Sequence, residues 1–153
     1  MTQIEFDDYT ARAVSEYADE LLRNTGIGRE QAGNHAERTF GAALPFGLTT
    51  PDHRFLTAAD ADSGDHVGIL WTARQRRDDT DLIWIFDIRV DEPKRGRGYG
   101  RCLMELAQEE AEGMGIARIE LNVYGDNPRA RALYESFGYV EMSRQMYKVL
   151  DDA

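Results

Sequence analysis

Residues 94 to 101 read KRGRGYGR, four basic side chains and three glycines in eight positions, within a chain of formal net charge -10. Glycine admits positive backbone dihedrals and leaves main-chain amides uncovered, so Gly96, Gly98 and Gly100 can aim several N–H groups at one anion. The apolar residues that follow, Leu103, Leu106, Ala107, Ala111 and Met114, recur at helical spacing. A helix beginning there adds about half a positive charge at its N-terminus. Arg95, Arg97 and Arg101 can then bracket two linked phosphates, which makes the stretch a candidate pyrophosphate cradle. Its glycines are spaced G-x-G-x-G, so neither the G-x-G-x-x-G dinucleotide fingerprint nor a Gly-Lys-Ser/Thr nucleotide loop is present. A solvated Gly/Arg-rich turn without a ligand is the alternative.

Such a cradle must be held between a strand and a helix, and the surrounding pattern supplies both. "DLIWIFDIRV", residues 81 to 90, is rich in β-branched and aromatic residues and leads directly into the turn. Simple alternation sets Trp84, Phe86, Ile88 and Val90 on one apolar face, and Ile83, Ile85, Asp87 and Arg89 on a face that turns polar. The helix is expected over 98 to 114. Upstream, helices are expected over 9 to 24 and 29 to 43, then strands over 53 to 59 and 66 to 74, with "RQRRDD" as a charged hairpin tip. Downstream, "ARIELNV" reads as a strand and "DNPRARALYESFG" as a helix. Asn127 sits at its N-cap, Pro128 at its first position and Gly138 just past its end. "YVEMSRQMYKVL" is expected to add one or two strands. This order fits a mixed α/β fold around a central, mostly antiparallel sheet, in one domain over residues 1–153.

Composition narrows the function classes. An excess of 28 acidic over 18 basic residues argues against a nucleic-acid binder, which needs a basic face to displace phosphate counterions. The single Cys102 excludes an internal disulfide, and His35, His53 and His66 show no ligand spacing, so no metal is expected. No signal-like or membrane-length apolar run occurs, and a cytoplasmic location without a membrane partner is the default expectation. Arginine outnumbers lysine 16 to 2, which points weakly to a GC-rich bacterial genome.

The turn resembles the acyl-CoA-binding motif of the GNAT family, the Gcn5-related N-acetyltransferases: Arg95, Gly98 and Gly100 match R/Q-x-x-G-x-G/A. The later signature N-x-x-A-x-x-L-Y-x-x-x-G-F/Y is matched by Asn127, Ala130, Leu133, Tyr134, Gly138 and Tyr139. This similarity spans about residues 82 to 142. It implies a GNAT acyl-CoA N-acyltransferase fold, a sheet flanked by helices and splayed open beside the strand of 82 to 90. Backbone groups of Ile88 and Val90 would meet the pantetheine arm of acetyl-CoA, the co-substrate. The stretch Arg95, Gly96, Arg97, Gly98, Tyr99, Gly100 and Arg101 would hold its pyrophosphate, and Asn127 would bond the arm or simply cap its helix. Tyr134 would be the acid that protonates the departing thiolate, unless it is a packing residue.

An amine acceptor arrives mostly as ammonium and must lose a proton before attack. Some relatives carry a glutamate where this chain has Asn122, so the family's common base is missing and acetylation of ribosomal-protein N-termini is in doubt. Asp87 is the first candidate in its place, with a salt bridge to Arg89 or Arg118 as its structural alternative, and Glu120 is the second. The expected activity is transfer of acetyl from acetyl-CoA to a primary amine of a small molecule or peptide, by direct attack in a ternary complex. A catalytically silent acyl-CoA-binding module and a nucleotide- or phosphosugar-binding protein are the rivals. Homodimerisation through terminal strands is a further expectation from the resemblance.

Overall fold

The structure, a computed structural model, describes residues 1–150. It divides into two compact units, one formed by Met1–Phe6 with Phe46–Asn122 and the other by Asp7–Pro45 with the chain from Val123 onward.

The first unit is the sheet. β1 (His53–Ala59), β2 (His66–Arg77) and β3 (Thr80–Val90) pair antiparallel in chain order, and β4 (Ile119–Leu121) adds a parallel edge beside β3. β1 coincides with its expected span. β2 runs three residues further than expected, because the charged "RQRR" pairs across to β3 and leaves only Asp78 and Asp79 as the turn. Asp78 there takes a φ of 52°. β4 is shorter than "ARIELNV" predicts. α3 (Tyr99–Gly113) covers one face with Leu103, Met104, Ala107 and Ala111 buried against the sheet. Its Glu110, itself buried, accepts a 2.9 Å hydrogen bond from Thr72 Oγ1 and faces Arg54 Nε at 3.4 Å, so the helix is also pinned to β1 and β2 by charge.

One irregularity corrects the expected faces of β3. Asp87 stands opposite Trp71 and Ile85 opposite Thr72, so Phe86 is an extra residue without a counterpart on β2. A bulge of this kind shifts the alternation by one. Trp84 and Phe86 therefore share a face with Asp87 and Arg89, while Ile83, Ile85, Ile88 and Val90 line the α3 side. Ring contacts agree: Phe86 stacks on Trp71 at 4.4 Å and on His53 at 5.3 Å, and Phe55 stacks on Trp71 at 5.2 Å. Simple alternation misassigned Ile88 and Val90 because a bulge depends on the partner strand.

The second unit is helical. α1 (Gln3–Thr25), most of which lies here, and α2 (Arg29–Ala43) meet through Leu21, Ala32 and Ala36, with Val14, Tyr17, Ala18, Leu22 and Ile27 around them. α1 starts six residues before the expected span. Thr2 and Glu5 form a reciprocal cap there, Glu5 N donating to Thr2 Oγ1 at 3.3 Å and Thr2 N to Glu5 Oε2 at 2.6 Å. α4 (Pro128–Ser136) follows a turn tied to α1 by an Arg23–Asp126 ion pair of 3.2 Å. The strands expected over 139 to 150 are absent among the described residues. A strand exists only with a neighbouring strand to bond, and the sheet of the described residues ends at β4 without taking up this segment. Val140, Met146, Val149 and Leu150 are exposed as a result, while Tyr147 covers Gly26, where an added Cβ would come within 2.8 Å of its ring. No helix among the described residues is long and apolar enough to cross a membrane.

Candidate functional site

Between β3 and α3 the chain makes a short 3-10 turn, Glu92–Lys94, and then a loop in which Gly96 (φ 78°) and Gly98 (φ 89°) occupy left-handed backbone. Other residues enter that region only with strain, so the two glycines are what allow the chain to reverse into α3. Gly98 is the N-cap, and its carbonyl accepts from Cys102 N at 3.2 Å as the helix begins. By helix geometry the amides of Tyr99 and Gly100 have no acceptor within the helix, and they face the end where the macrodipole is positive. A helix N-terminus of this kind is where main-chain amides can meet an anion. Arg95 is partly diverted from it, because its Nε donates to the carbonyl of Val90 at 3.0 Å.

β3 outruns its neighbour. β4 pairs with Ile83, Trp84 and Ile85 and ends at Leu121, so among the described residues no strand pairs with that edge of β3 from Phe86 to Val90. Asp91 N donates to Val67 O at 2.9 Å, toward β2; with a period of two, the backbone groups of Ile88 and Val90 point the other way, onto the open edge. The bulge at Phe86 causes this, since uninterrupted alternation from Ile83, whose N–H bonds Arg118 O on the β4 side, would have presented Asp87 and Arg89 instead. Strand pairing at Gly68 and Val90 is close enough that a Cβ on Gly68 would lie 2.1 Å from the carbonyl oxygen of Arg89.

The acidic candidates differ in surroundings. Asp87 Oδ2 accepts from Arg89 Nη2 at 3.0 Å, with both side chains about a quarter exposed or less, at 22% and 24%. It shares its sheet face with Trp71 and Phe86. Glu120 is buried and clamped by Arg77 Nη1 and Arg118 Nε, each at 2.6 Å. The hydrogen bond from Arg118, then that from Arg77, hold its carboxyl below the usual range against the opposing cost of burial. A carboxylate this well paired is a poor proton acceptor and a good structural anion.

In the second unit, Asn127 Oδ1 accepts from Ala130 N at 3.1 Å, so the cap role is occupied as expected. Tyr134 lies partly buried on α4 with the Tyr139 ring 6.0 Å away. The Tyr139 hydroxyl is buried with no hydrogen-bond partner among the described residues, and burial pushes its phenol up to about 12.

Two features escaped the sequence reading. His53, set aside there as lacking ligand spacing, accepts the indole N–H of Trp71 on Nδ1 at 2.9 Å, and burial lowers its pKa below the ordinary value. The stretch between β1 and β2, unremarked in sequence, reaches the glycine turn through Asp60 and Asp65. Only the pairing of β1 with β2 brings these residues there, and no local motif announces it.

Comparison with known proteins agrees with this geometry. The Acetyltransferase (GNAT) family model matches residues 17–139. The uncharacterized N-acetyltransferase YycN of Bacillus subtilis (strain 168) is 32% identical over 146 residues, covering 95% of this chain and 93% of that protein. The crystal structure of YycN superposes with a TM-score of 0.91 at 30% identity, covering 99% of this chain and 96% of that one. A mycothiol acetyltransferase of Jonesia denitrificans is 35% identical over 97 residues, 63% of this chain and 30% of its own. The ribosomal protein bS18-alanine N-acetyltransferase of Escherichia coli (strain K12) is 39% identical over 73 residues, 46% of this chain and 49% of its own. A family match that runs from within α1 to the last residue of the second motif, together with a solved relative that follows the chain almost end to end, makes this protein a member of the GNAT family of acetyltransferases.

Proposed function

We propose that this N-acetyltransferase moves the acetyl group of acetyl-CoA to a primary amine of a small molecule or peptide, by direct attack within a ternary complex. The observation that carries the reading is the glycine turn at the start of α3 lying next to an open stretch of β3 edge. A helix N-terminus beside a strand edge that no other strand covers suits a ligand with a diphosphate at one end and an amide-bearing arm at the other, although the Val90 carbonyl already accepts from Arg95 Nε. In this reading the amides from Gly96 to Arg101, with Arg97 and Arg101 as cations, hold the diphosphate, while the Arg95 amide stays with the Glu92 carbonyl at 3.3 Å. Ile88 and Val90 bond the arm, and Asn127 bonds it further along.

Asp87, directly or through a water, takes the proton of the incoming ammonium. The aromatic face that it shares with Trp71 and Phe86 suits a cationic amine. The amine nitrogen then attacks the thioester carbon, the carbon–sulfur bond breaks, and Tyr134 gives its phenolic proton to the leaving thiolate. Glu120 becomes a structural anion rather than the base. The names of the relatives include both mycothiol and a ribosomal protein, so the acceptor stays at the level of a primary amine. The chain is taken as one catalytic domain, without metal, nucleic acid or membrane in the reaction, and it is proposed to act as a homodimer.

Two measurements test this. Calorimetry with acetyl-CoA, NAD and ATP should show binding to the first, and preference for either of the others would end the reading. Free-thiol release is then followed against polyamines, aminoglycosides, amino acids and peptides. Release that depends on one amine class supports transfer, whereas tight CoA binding with no release on any amine would mark a silent binding module.

A further inference from the structure

The segment joining β1 to β2 is built onto the glycine turn at several points, all within the sheet unit. Tyr99 Oη donates to Asp60 Oδ2. Lys94 Nζ donates to Asp65 Oδ2 at 2.8 Å, with the lysine only 23% exposed. His66 Nδ1 lies 2.6 Å from Asp91 Oδ2, and Asp91 N donates to Val67 O at 2.9 Å. These ties grip the turn at Asp91, Lys94 and Tyr99, on both sides of the left-handed glycines.

The hairpin end is itself folded tightly enough to act as a support. Asp60 Oδ1 accepts from the backbone N–H of Asp62 at 3.0 Å and of Ser63 at 2.8 Å. Asp60 N donates to Asp65 O and Gly64 N to Asp60 O, which closes the loop. The Tyr99 hydrogen bond, with the Ser63 and Asp62 amides behind it, lowers the Asp60 carboxyl to about 2. It is therefore an ionised acceptor at any working pH.

Glycines that permit the turn also leave it floppy, because glycine resists no rotation. Amides must converge on a diphosphate with little reorganisation to bind it well, so something outside the turn has to hold them. The geometry points to the β1–β2 hairpin end as that brace: Asp60 acting through Tyr99, and Asp65 acting through Lys94, are positioning residues for the diphosphate of acetyl-CoA. This rests on the proposed function, since it assumes that the turn binds that group. A second consequence is electrostatic. Asp65 pairs with Lys94, so the lysine's charge is already partly met and Arg97 and Arg101 are left as the proposed cations of the turn.

Calorimetric titration with CoA tests the brace. Asp60→Ala, Asp65→Lys and Lys94→Asp should each weaken CoA binding about five- to tenfold, the loss expected for a charge-assisted hydrogen bond. Asp60→Asn removes the charge and leaves one carbonyl oxygen for either the Tyr99 hydroxyl or the Asp62 and Ser63 amides, so it should also weaken CoA binding, by less than Asp60→Ala. The double variant Asp65→Lys with Lys94→Asp restores the pair with reversed signs and should recover most of the affinity, which general damage to the fold would not allow. Unchanged CoA affinity in all three single variants overturns the brace and leaves the proposed function standing. So does a double variant no better than the worse single one. An unaltered chain that fails to bind CoA at all overturns both.

Discussion

Tyr134 and Tyr139 lie on the same stretch of chain with their rings 6.0 Å apart, yet the two hydroxyls are expected to matter in opposite ways. Tyr134 is proposed to protonate the departing thiolate. Removing that proton donor by Tyr134→Phe should lower kcat about a hundredfold, the low end for a general acid, and leave the calorimetric affinity for CoA in place. An unaltered kcat would remove the assignment. Tyr139 carries a buried hydroxyl with no partner among the described residues, whose burial already pushes its phenol up to about 12. An unpaired buried polar group costs stability, so Tyr139→Phe should hold or raise the melting temperature, with a gain of about 1 kcal/mol at most. A clear fall in stability would mean that the hydroxyl has an acceptor after all.

At the scale of elements, the sheet edge beside β3 depends on two residues far from the glycine turn in character. Gly68 is one: its missing Cβ lets β2 approach the Arg89 carbonyl, and an added methyl at 2.1 Å must push the strands apart. Gly68→Ala is expected to cost about 1–3 kcal/mol in urea unfolding and to weaken CoA binding, because it strikes where Val90 enters the turn. Glu120 is the other. Its clamp between Arg77 and Arg118 ties the β2 end to β4; the glutamate is buried but both arginines are about half exposed, so solvent screens the pairs and Glu120→Gln should destabilise by about 1 kcal/mol at pH 7. The sign of the pH dependence follows from its lowered folded pKa. The stabilisation is complete above the ordinary value of 4.5 and is lost as pH falls through the folded value, so the gap between the two proteins should close in acid.

The same elements show what the sequence could disclose. β1 and α2 were legible because prolines, glycines and period bound them on both sides. The glycine turn and Asn127 were legible because their chemistry is local: φ above zero needs glycine, and a cap needs a short acceptor. The start of α1 has its local signal in the Thr2–Glu5 spacing, a capping box that precedes the apolar period. Neither the bulge at Phe86 nor the Glu120 clamp nor the Asp60–Tyr99 tie was legible, since each is a property of which strand lies alongside. For the same reason alternating residues over 139 to 150 suggested strands that do not form without a neighbour.

Whole-molecule behaviour turns on that last segment and on net charge. Val140, Met146, Val149 and Leu150 present apolar side chains to solvent at 67% to 84% exposure, in a chain whose 28 acidic residues otherwise keep the surface well hydrated. Bare hydrophobic strips of this sort mark contact surfaces. A second copy of the chain is the proposed occupant, because exposed apolar side chains on two copies gain by burying one another. The charge of -10 on each copy opposes the encounter, and salt screens such repulsion beyond about 10 Å at 0.1 M. Sedimentation should therefore show a dimer whose fraction rises between low and moderate salt. Met146→Lys with Val149→Lys separates the two influences: it makes each chain less negative, which favours association if charge alone decides, and it spoils the apolar strip, which prevents association if burial decides. The monomer is the expected outcome, and a stronger dimer in the lysine variant would show that the strip plays no part.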